Sequence, residues 1–189
     1  MNGLRQSVFG ARRIAPREWG LIAAAAALLI DQASKLVLLY GFGFIHMQPG
    51  DSVDVLPFFN LVMVWNPGVS YGLFPAHGPV GTALLVLFSL VAVVGLGFWL
   101  WSAPRRALAV GLGLVIGGAI GNNLVDRLIY GRVADFFHFY AVGYDWYVFN
   151  LADCAITLGV AALLYDALLR PEIRSQGASK PGASDEQTP

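Results

Sequence analysis

The sequence is poor in charged residues and carries no net charge. Lysine, arginine, aspartate and glutamate together make up 13% of the 189 residues, against 57% hydrophobic residues. A soluble domain has about twice that share of charge, so the composition indicates a membrane protein. Twelve basic residues balance twelve acidic ones. Without a broad basic surface, nucleic acid is not an expected partner.

Cysteine and histidine are also scarce. The one cysteine, Cys154, cannot form a disulfide within the chain. The three histidines lie far apart and show none of the spacings that are typical of zinc ligands. The sequence therefore predicts neither a disulfide-stabilised fold nor a metal site.

Four long apolar runs predict four transmembrane helices, over about residues 19–40, 80–101, 107–128 and 151–169. At a rise of about 1.5 Å per residue, each run can cross a hydrocarbon core of ~30 Å. The runs lack the alternation of a transmembrane β-barrel. No Ala-x-Ala cleavage site follows the first run, which favours a retained helix over a removed signal peptide. The predicted fold class is an all-α membrane protein with four transmembrane helices.

Basic residues predict how the helices are oriented. Arginines precede the first helix, separate the second from the third and follow the fourth, whereas residues 41–79 contain no lysine or arginine. The positive-inside rule then places both termini in the cytoplasm. We expect a cytoplasmic arm over residues 1–18, a transmembrane domain over 19–170 and a disordered cytoplasmic tail over 171–189.

The connection over about residues 41–79 is predicted to form a small β-rich platform on the outer side. Residues 53–65 are rich in valine and aromatic residues, which favour strands. The tripeptide Asn66-Pro67-Gly68 then indicates a turn.

Several charged residues lie in or beside the apolar runs, where each costs roughly 2.5–3.5 kcal/mol at mid-helix. Asp31 and Lys35 are four residues apart, so they share a helix face and can pair. Asp126, Asp135 and Asp153 all fall on the outer side. Two carboxylates in an apolar site can share one proton and activate water against a peptide bond. The residues alone leave open which two of the three aspartates form such a pair.

Five motifs follow one another in a fixed order, namely DQASK at 31–35, NPGVSYG at 66–72, GGAIGNNLVDR at 117–127, VADF at 133–136 and FNLAD at 149–153. In these motifs the chain resembles the lipoprotein signal peptidases, bacterial enzymes that remove signal peptides from lipid-modified prolipoproteins. The resemblance extends over about residues 31–169, which is nearly everything except the arm and the tail.

The resemblance implies an aspartic endopeptidase with Asp135 and Asp153 as its catalytic carboxylates. Such an enzyme cuts diacylglyceryl-modified prolipoproteins on the amino side of the lipidated cysteine, without a metal or cofactor. The resemblance also implies a bacterial inner-membrane location, an active site near the outer face, membrane lipids as partners and a monomeric protein. The implied substrate-binding or supporting residues are Asn66, Gly68, Asn123, Arg127, Val133, Asn150, Asp31, Lys35 and Asp126.

The chain departs from the family pattern at two places. The family usually reads Gly-Asn-x-x-Asp-Arg, whereas one additional residue lies between Gly121 and Asp126 here. Counting back from Asp126 makes Asn123 the family's asparagine, and counting forward from Gly121 makes it Asn122; we prefer Asn123. Cys154 stands where the family commonly has serine or threonine. No histidine is near it in sequence to activate it as a nucleophile, so an inert thiol is expected.

Two other functions are compatible with some of these features. A small transporter or channel subunit would use buried carboxylates as a proton or cation relay, but it would favour charges near mid-bilayer on several helices. A non-enzymatic scaffold would need only the β-rich outer segment and helix faces lined by small residues. Release of a signal peptide from a lipidated prolipoprotein would distinguish the peptidase from both.

Overall fold

The computed structural model describes residues 14–68 and 78–168 of the chain. Within these ranges, four helical stretches are long and apolar enough to cross a membrane, which confirms the predicted fold class. Most of the predicted arm, all of the predicted tail and residues 69–77 of the NPGVSYG motif and outer segment lie outside the described residues. The helices are α1 (Pro16–Leu36, continued by a π-helical turn at Val37–Gly41), α2 (Gly78–Trp101), α3 (Arg106–Ala119, continued by a π-helical segment at Ile120–Asp126), α4 (Arg127–Tyr130) and α5 (Leu151–Leu168).

Helix α3 is the centre of the bundle and packs against both α1 and α5. Glycines at the two contact faces let the backbones approach closely, because no side chain separates them. A Cβ added at Gly113 would collide with the backbone of Gly20 in α1. A Cβ added at Gly118 would lie 2.6 Å from the carbonyl oxygen of Ala152 in α5. The glycine-rich sequence of this span therefore fixes where α1 and α5 lie.

Replacing Gly113 by alanine is expected to destabilise the bundle by about 1–3 kcal/mol, the usual cost of overpacking a tight contact. The new methyl group would meet backbone atoms of α1, which cannot rotate away as a side chain would. The matched control is Gly95→Ala in α2, where nothing lies within 4 Å of the added Cβ. Thermal unfolding in one detergent should show a lower midpoint for Gly113→Ala only. Equal midpoints for the two variants would contradict this packing.

The ends of the helices that carry the basic residues come together at one end of the bundle. The Arg106 guanidinium lies 3.6 Å from the ring centroid of Trp19, and that of Arg17 lies 4.8 Å from the ring of Trp101. Arg105 forms a two-pronged ion pair with Asp166 near the end of α5. The start of α1 and the end of α5 thus lie on the same side of the bundle as the turn between α2 and α3.

An antiparallel four-stranded sheet lies at the other end, in the order β1 (Ser52–Leu56), β2 (Phe59–Asn66), β3 (Val133–Ala141) and β4 (Tyr144–Asp145). The first two strands fall inside the predicted β-rich segment. The other two come from the connection between α4 and α5, for which no strand was predicted. The sheet therefore joins two connections between spans that are about seventy residues apart in sequence.

The pairing of β2 with β3 aligns Asn66 with Val133 and Val64 with Asp135. Val133, Ala134 and Phe136 are buried, and Phe136 packs with Leu39 and Phe44 from the end of the first span. Strand β3 is therefore held between its partner strand and the helix ends. This arrangement fixes the backbone of Asp135 close to the start of α5.

Candidate active site

Asn150 connects the two carboxylates that the motifs single out. Its side-chain amide donates a hydrogen bond to Asp135 Oδ1 at 2.6 Å and another to the carbonyl oxygen of Ala134 at 3.3 Å. Its backbone N–H donates to Asp153 Oδ2 at 3.0 Å, and its side-chain oxygen accepts from the backbone N–H of Asp153 at 3.1 Å. One buried residue before α5 thereby holds Asp135 and Asp153 in a fixed relation to each other.

Asp135 is a buried carboxyl group, with only 2% of the residue exposed. Asn66 donates to its second oxygen, Oδ2, at 3.1 Å. The pKa of Asp135 is raised to about 7, chiefly by burial and then by the negative charge of Asp153, against the smaller lowering effects of Asn66 and Asn150. Near neutral pH this group is therefore poised between a proton donor and a carboxylate.

Asp153 lies in the first turn of α5. The free N–H groups and the dipole at a helix start favour a negative charge there. Asn122 donates to Asp153 Oδ1 at 3.0 Å, while the N–H of Asn150 occupies Oδ2. Both oxygens therefore accept hydrogen bonds, as an ionised carboxylate requires.

Lys35 lies behind this pair, almost completely buried in α1. Its ammonium group is 2.8 Å from Asp31, 2.8 Å from Asp126 and 2.7 Å from the side-chain oxygen of Asn122. An ammonium group has three donors, and these three partners use all of them. Asn122 must then turn its amide nitrogen towards Asp153. The charge of Lys35 thus orients a ligand of the carboxylate without touching it.

The remaining oxygens of this ionic cluster are also satisfied. Asp31 Oδ1 accepts the backbone N–H of Ala152 at 3.0 Å, which connects α1 with the start of α5. Asp126 Oδ2 accepts the backbone N–H of Ala134 at 3.2 Å, which connects the third span with β3. Gln32 donates to both aspartates at 3.0 Å. The cluster therefore fixes the two backbone segments that carry Asp135 and Asp153.

Comparisons with known proteins agree with this geometry. The profile of the family described as signal peptidase (SPase) II matches residues 23–169, which include most of the first span, the other three spans and both carboxylates. The chain belongs to the signal peptidase II family. The match covers the connections as well as the helices. It therefore includes every residue of the network around Asn150 and Lys35.

Two relatives and one solved structure show how extensive the similarity is. A lipoprotein signal peptidase of Nitrobacter hamburgensis is 52% identical over 159 residues, 82% of this chain and 94% of the relative. One of Rhodopseudomonas palustris is 50% identical over 158 residues, with the same coverage of each chain. A solved structure described as a bacterial membrane enzyme superposes with a TM-score of 0.69 at 26% identity, over 87% of this chain and 94% of that one.

The additional residue in this member of the signal peptidase II family lies in the π-helical segment Ile120–Asp126. A π-helical turn accommodates one more residue without shifting the helix on either side of it. Asn122 then contacts Asp153, whereas Asn123 Oδ1 accepts a hydrogen bond from Arg127 Nε at 3.1 Å. The structure places Asn122 beside Asp153, and places Asn123, the residue preferred from the sequence, beside Arg127.

Arg127 anchors the end of β2 to the third span. Its guanidinium donates to the carbonyl oxygen of Pro67 at 3.1 Å and to that of Gly68. The N–H of Gly68 in turn donates to the side-chain oxygen of Asn66 at 3.0 Å, which leaves the amide nitrogen of Asn66 facing Asp135. Asp126 pairs with Lys35 and not with its neighbour Arg127, although the two are adjacent in sequence. Arg127 therefore acts on the site through Gly68 and Asn66.

Cys154 follows Asp153 directly but has no disulfide partner among the described residues. Within residues 14–68 and 78–168, no group of three or more histidine, cysteine or acidic side chains could hold a metal ion. The sequence offered Asn122 as one of two candidates for the family's asparagine but did not predict its contact with Asp153. The signal was the paired asparagine, because two amides at the end of a transmembrane helix each need a polar partner.

Proposed function

We propose that this protein is a membrane-embedded aspartic endopeptidase that removes signal peptides from diacylglyceryl-modified prolipoproteins. The cut is on the amino side of the lipidated cysteine, and Asp135 and Asp153 are the catalytic carboxylates. The observation that carries the proposal is the pair of carboxyl groups, Asp135 buried and Asp153 half-buried, held by one residue, Asn150. Membership of the signal peptidase II family and relatives named lipoprotein signal peptidase support the substrate class.

The surroundings of the two carboxyl groups give each a different role in proton transfer. Asp153 has the helix start and Asn122 to stabilise a negative charge, so it is the base that takes a proton from water. Asp135, whose pKa is raised to about 7, is the acid that protonates the carbonyl oxygen of the scissile bond. The hydroxide portion of the water bonds to the carbonyl carbon. Transfer of the proton from Asp153 to the leaving nitrogen then accompanies breakage of the C–N bond, and one hydroxyl of the gem-diol intermediate returns a proton to Asp135.

The membrane delivers the substrate. A prolipoprotein anchored by its acyl chains and its apolar signal helix diffuses in the plane of the bilayer to the end of the bundle where the sheet lies. Much of its binding energy comes from burial of apolar surface, which is not specific for sequence. The amides of Asn66 and Asn122, once partly released from the carboxylates, are plausible partners for the substrate backbone at this depth.

The proposal places the protein in the bacterial inner membrane as a monomer. Both termini are in the cytoplasm, and the carboxylate pair is near the outer face. The clustering of Arg17, Arg105 and Arg106 at the opposite end of the bundle supports this orientation. Membrane lipids surround the four spans and are the remaining partners.

The decisive experiment incubates the purified protein in detergent with a lipidated prolipoprotein and follows release of the signal peptide. The matched control is the same prolipoprotein without its diacylglyceryl group. We expect release from the lipidated form only. Release from neither form, by protein that remains folded, would overturn the proposal.

The rate of cleavage is expected to fall as pH rises above about 7. Deprotonation of Asp135, whose pKa is raised to that value, removes the acid and leaves two negative charges side by side. Because the folded pKa lies above the unfolded one, the stability contributed by the neutral group is also lost as pH rises through about 7. A pH profile of kcat/KM measures this alkaline limb.

The effect of Asn66 on the pKa of Asp135 can be tested with the variant Asn66→Ala. The hydrogen bond from Asn66 lowers the pKa of Asp135, so its removal should move the alkaline limb to higher pH. A limb that moves to lower pH, or one that is absent from the unsubstituted enzyme up to pH values well above 7, would contradict the assignment of the proton to Asp135.

A further inference from the structure

We infer that the β3–β4 hairpin is an interfacial anchor, which inserts its tip into the membrane surface beside the active site. The tip is the two-residue loop Val142-Gly143 between the paired residues Ala141 and Tyr144. The tip contacts the boundary between lipid headgroups and acyl chains, in the leaflet on the side of the sheet. The inference concerns the membrane and is separate from the chemistry at Asp135.

The backbone of the loop is unfavourable for the residue it contains. Val142 has φ +51° and Gly143 has φ +81°, as a tight hairpin of the type I′ class requires at both positions. Asparagine, aspartate or glycine normally occupies the first position, because a β-branched residue is strained there. Val142 is the one non-glycine residue with positive φ among the residues the structure describes.

The strained valine is also almost fully exposed to its surroundings, at 98% of its surface. Tyr144 on the other side of the turn is 83% exposed, and Trp146 is 59% exposed. More than half of the surface of each of these three residues is therefore left uncovered by the rest of the protein. A turn that accepts both strain and apolar exposure is expected where the apolar side chain has a partner outside the protein.

The position of the hairpin identifies this partner as lipid. Phe139 of β3 stacks on Phe149 with ring centroids 5.9 Å apart, and Phe149 lies two residues before the start of α5. The tip is three residues beyond Phe139, so it lies within about 10 Å of that residue along the strand. The headgroup layer adds roughly 5–7 Å to each side of the hydrocarbon core, so a hairpin that starts beside a transmembrane helix end starts at the depth of that layer.

The chemistry of the hairpin is that of an aromatic belt. Tyrosine and tryptophan concentrate at the membrane–water boundary, where one end of each ring is apolar and the other is polar. An open apolar groove of about 930 Å³ lies beside the tip. Its lining includes Phe58, Phe139, Tyr144, Trp146, Tyr147 and Phe149. No lysine or arginine occurs from residue 133 to residue 168, so the anchor has no basic group and does not depend on anionic lipid. Asp145 of β4 is an exposed acid of the hairpin, with an oxygen 3.5 Å from His138 Nε2.

The test is a depth measurement with a spin label in nanodiscs. Cys154→Ser removes the native thiol, and Val142→Cys then carries the label. Val91→Cys, exposed in the middle of α2, is the lipid reference, and Asp51→Cys, before β1, is the water reference. We expect the label at position 142 to be protected from a water-soluble nickel reagent and accessible to oxygen. Nickel accessibility equal to that at position 51 overturns the inference.

The lipid composition provides a second arm of the same experiment. Nanodiscs of zwitterionic lipid alone should give the same depth at position 142 as nanodiscs containing anionic lipid. Insertion that requires anionic lipid would overturn the apolar anchor, because charge attraction would then be responsible. Neither arm needs turnover, so a failure here is distinct from a failure of the proposed peptidase activity.

Val142→Asn separates anchoring from folding. Asparagine tolerates positive φ, so this variant should unfold in detergent at the same temperature as the parent protein or higher. In nanodiscs, and resting here on the proposed function, it should raise KM for a lipidated prolipoprotein several-fold with little change in kcat. An unchanged KM, with a label at Tyr144→Cys that stays as deep as in the parent, would overturn the inference.

Discussion

Replacing either Asp135 or Asp153 by asparagine is expected to lower cleavage by at least about 10²–10⁴-fold, the usual contribution of one general acid or base. Asparagine keeps the size of the side chain but can neither take a proton from water nor deliver one to the carbonyl oxygen. The two effects should not add, because each carboxyl group needs the other for the same step. Single-turnover cleavage of a lipidated prolipoprotein measures the loss in each single variant and in the double variant.

The matched control for this prediction is Asp54→Asn. Asp54 is an exposed aspartate in β1 of the same sheet, opposite Asn60 in the strand pairing. Its substitution should leave the rate unchanged. All four variants should elute as monodisperse protein in detergent, which excludes loss of fold as the cause. Full activity in Asp135→Asn protein would reject the assignment of the pair, and Asp126→Asn would then be the next carboxylate to measure.

Replacing Lys35 by methionine is expected to destabilise the protein by about 3–5 kcal/mol, because it leaves buried carboxylates without their cation. Asp31 and Asp126 are both fully buried, and each has an oxygen 2.8 Å from the Lys35 ammonium group. Methionine fills a similar volume, so the loss would come from charge and not from a cavity. Thermal or denaturant unfolding in detergent measures the change.

A rescue variant distinguishes this explanation from a general intolerance of the position. Adding Asp31→Asn and Asp126→Asn to Lys35→Met removes the uncompensated charges and should recover a substantial part of the lost stability. Catalysis should not recover, because Asn122 no longer has the ammonium group that turns its amide nitrogen towards Asp153. A triple variant as unstable as Lys35→Met would show that the carboxylates are not the source of the cost.

The helices of this fold could be predicted from sequence because each is a local property of about twenty consecutive residues. The Asp31–Lys35 pair was accessible for the same reason, since residues four apart on a helix are neighbours. Strand β3 was missed because its partner, β2, belongs to a connection about seventy residues earlier. The sequence of a nine-residue strand beside an apolar helix end does not by itself show which strand it pairs with.

The candidate site, like the fold, could be predicted from the sequence only in part. The three outer aspartates were placed on one side by the helix count alone, but selecting Asp135 and Asp153 needed the motifs. The double hydrogen bond of Asn150 and the contact of Asn122 with Asp153 depend on side-chain directions across separate elements. The difference between Asn122 and Asn123 depends further on the π-helical segment, which rotates one amide relative to the other.

The cluster around Lys35 has a consequence for the biogenesis of the protein. The first span carries Asp31 and Lys35 as a pair that neutralises itself, so it can leave the translocation machinery with no net charge in the half that ends at Gly41. The pair acquires Asp126 only when the third span inserts, and the N–H of Ala152 only when the fourth one does. We therefore expect a nascent chain stalled before Leu151 to expose unsatisfied polar groups inside the bilayer, which distinguishes an unfinished chain from a complete one.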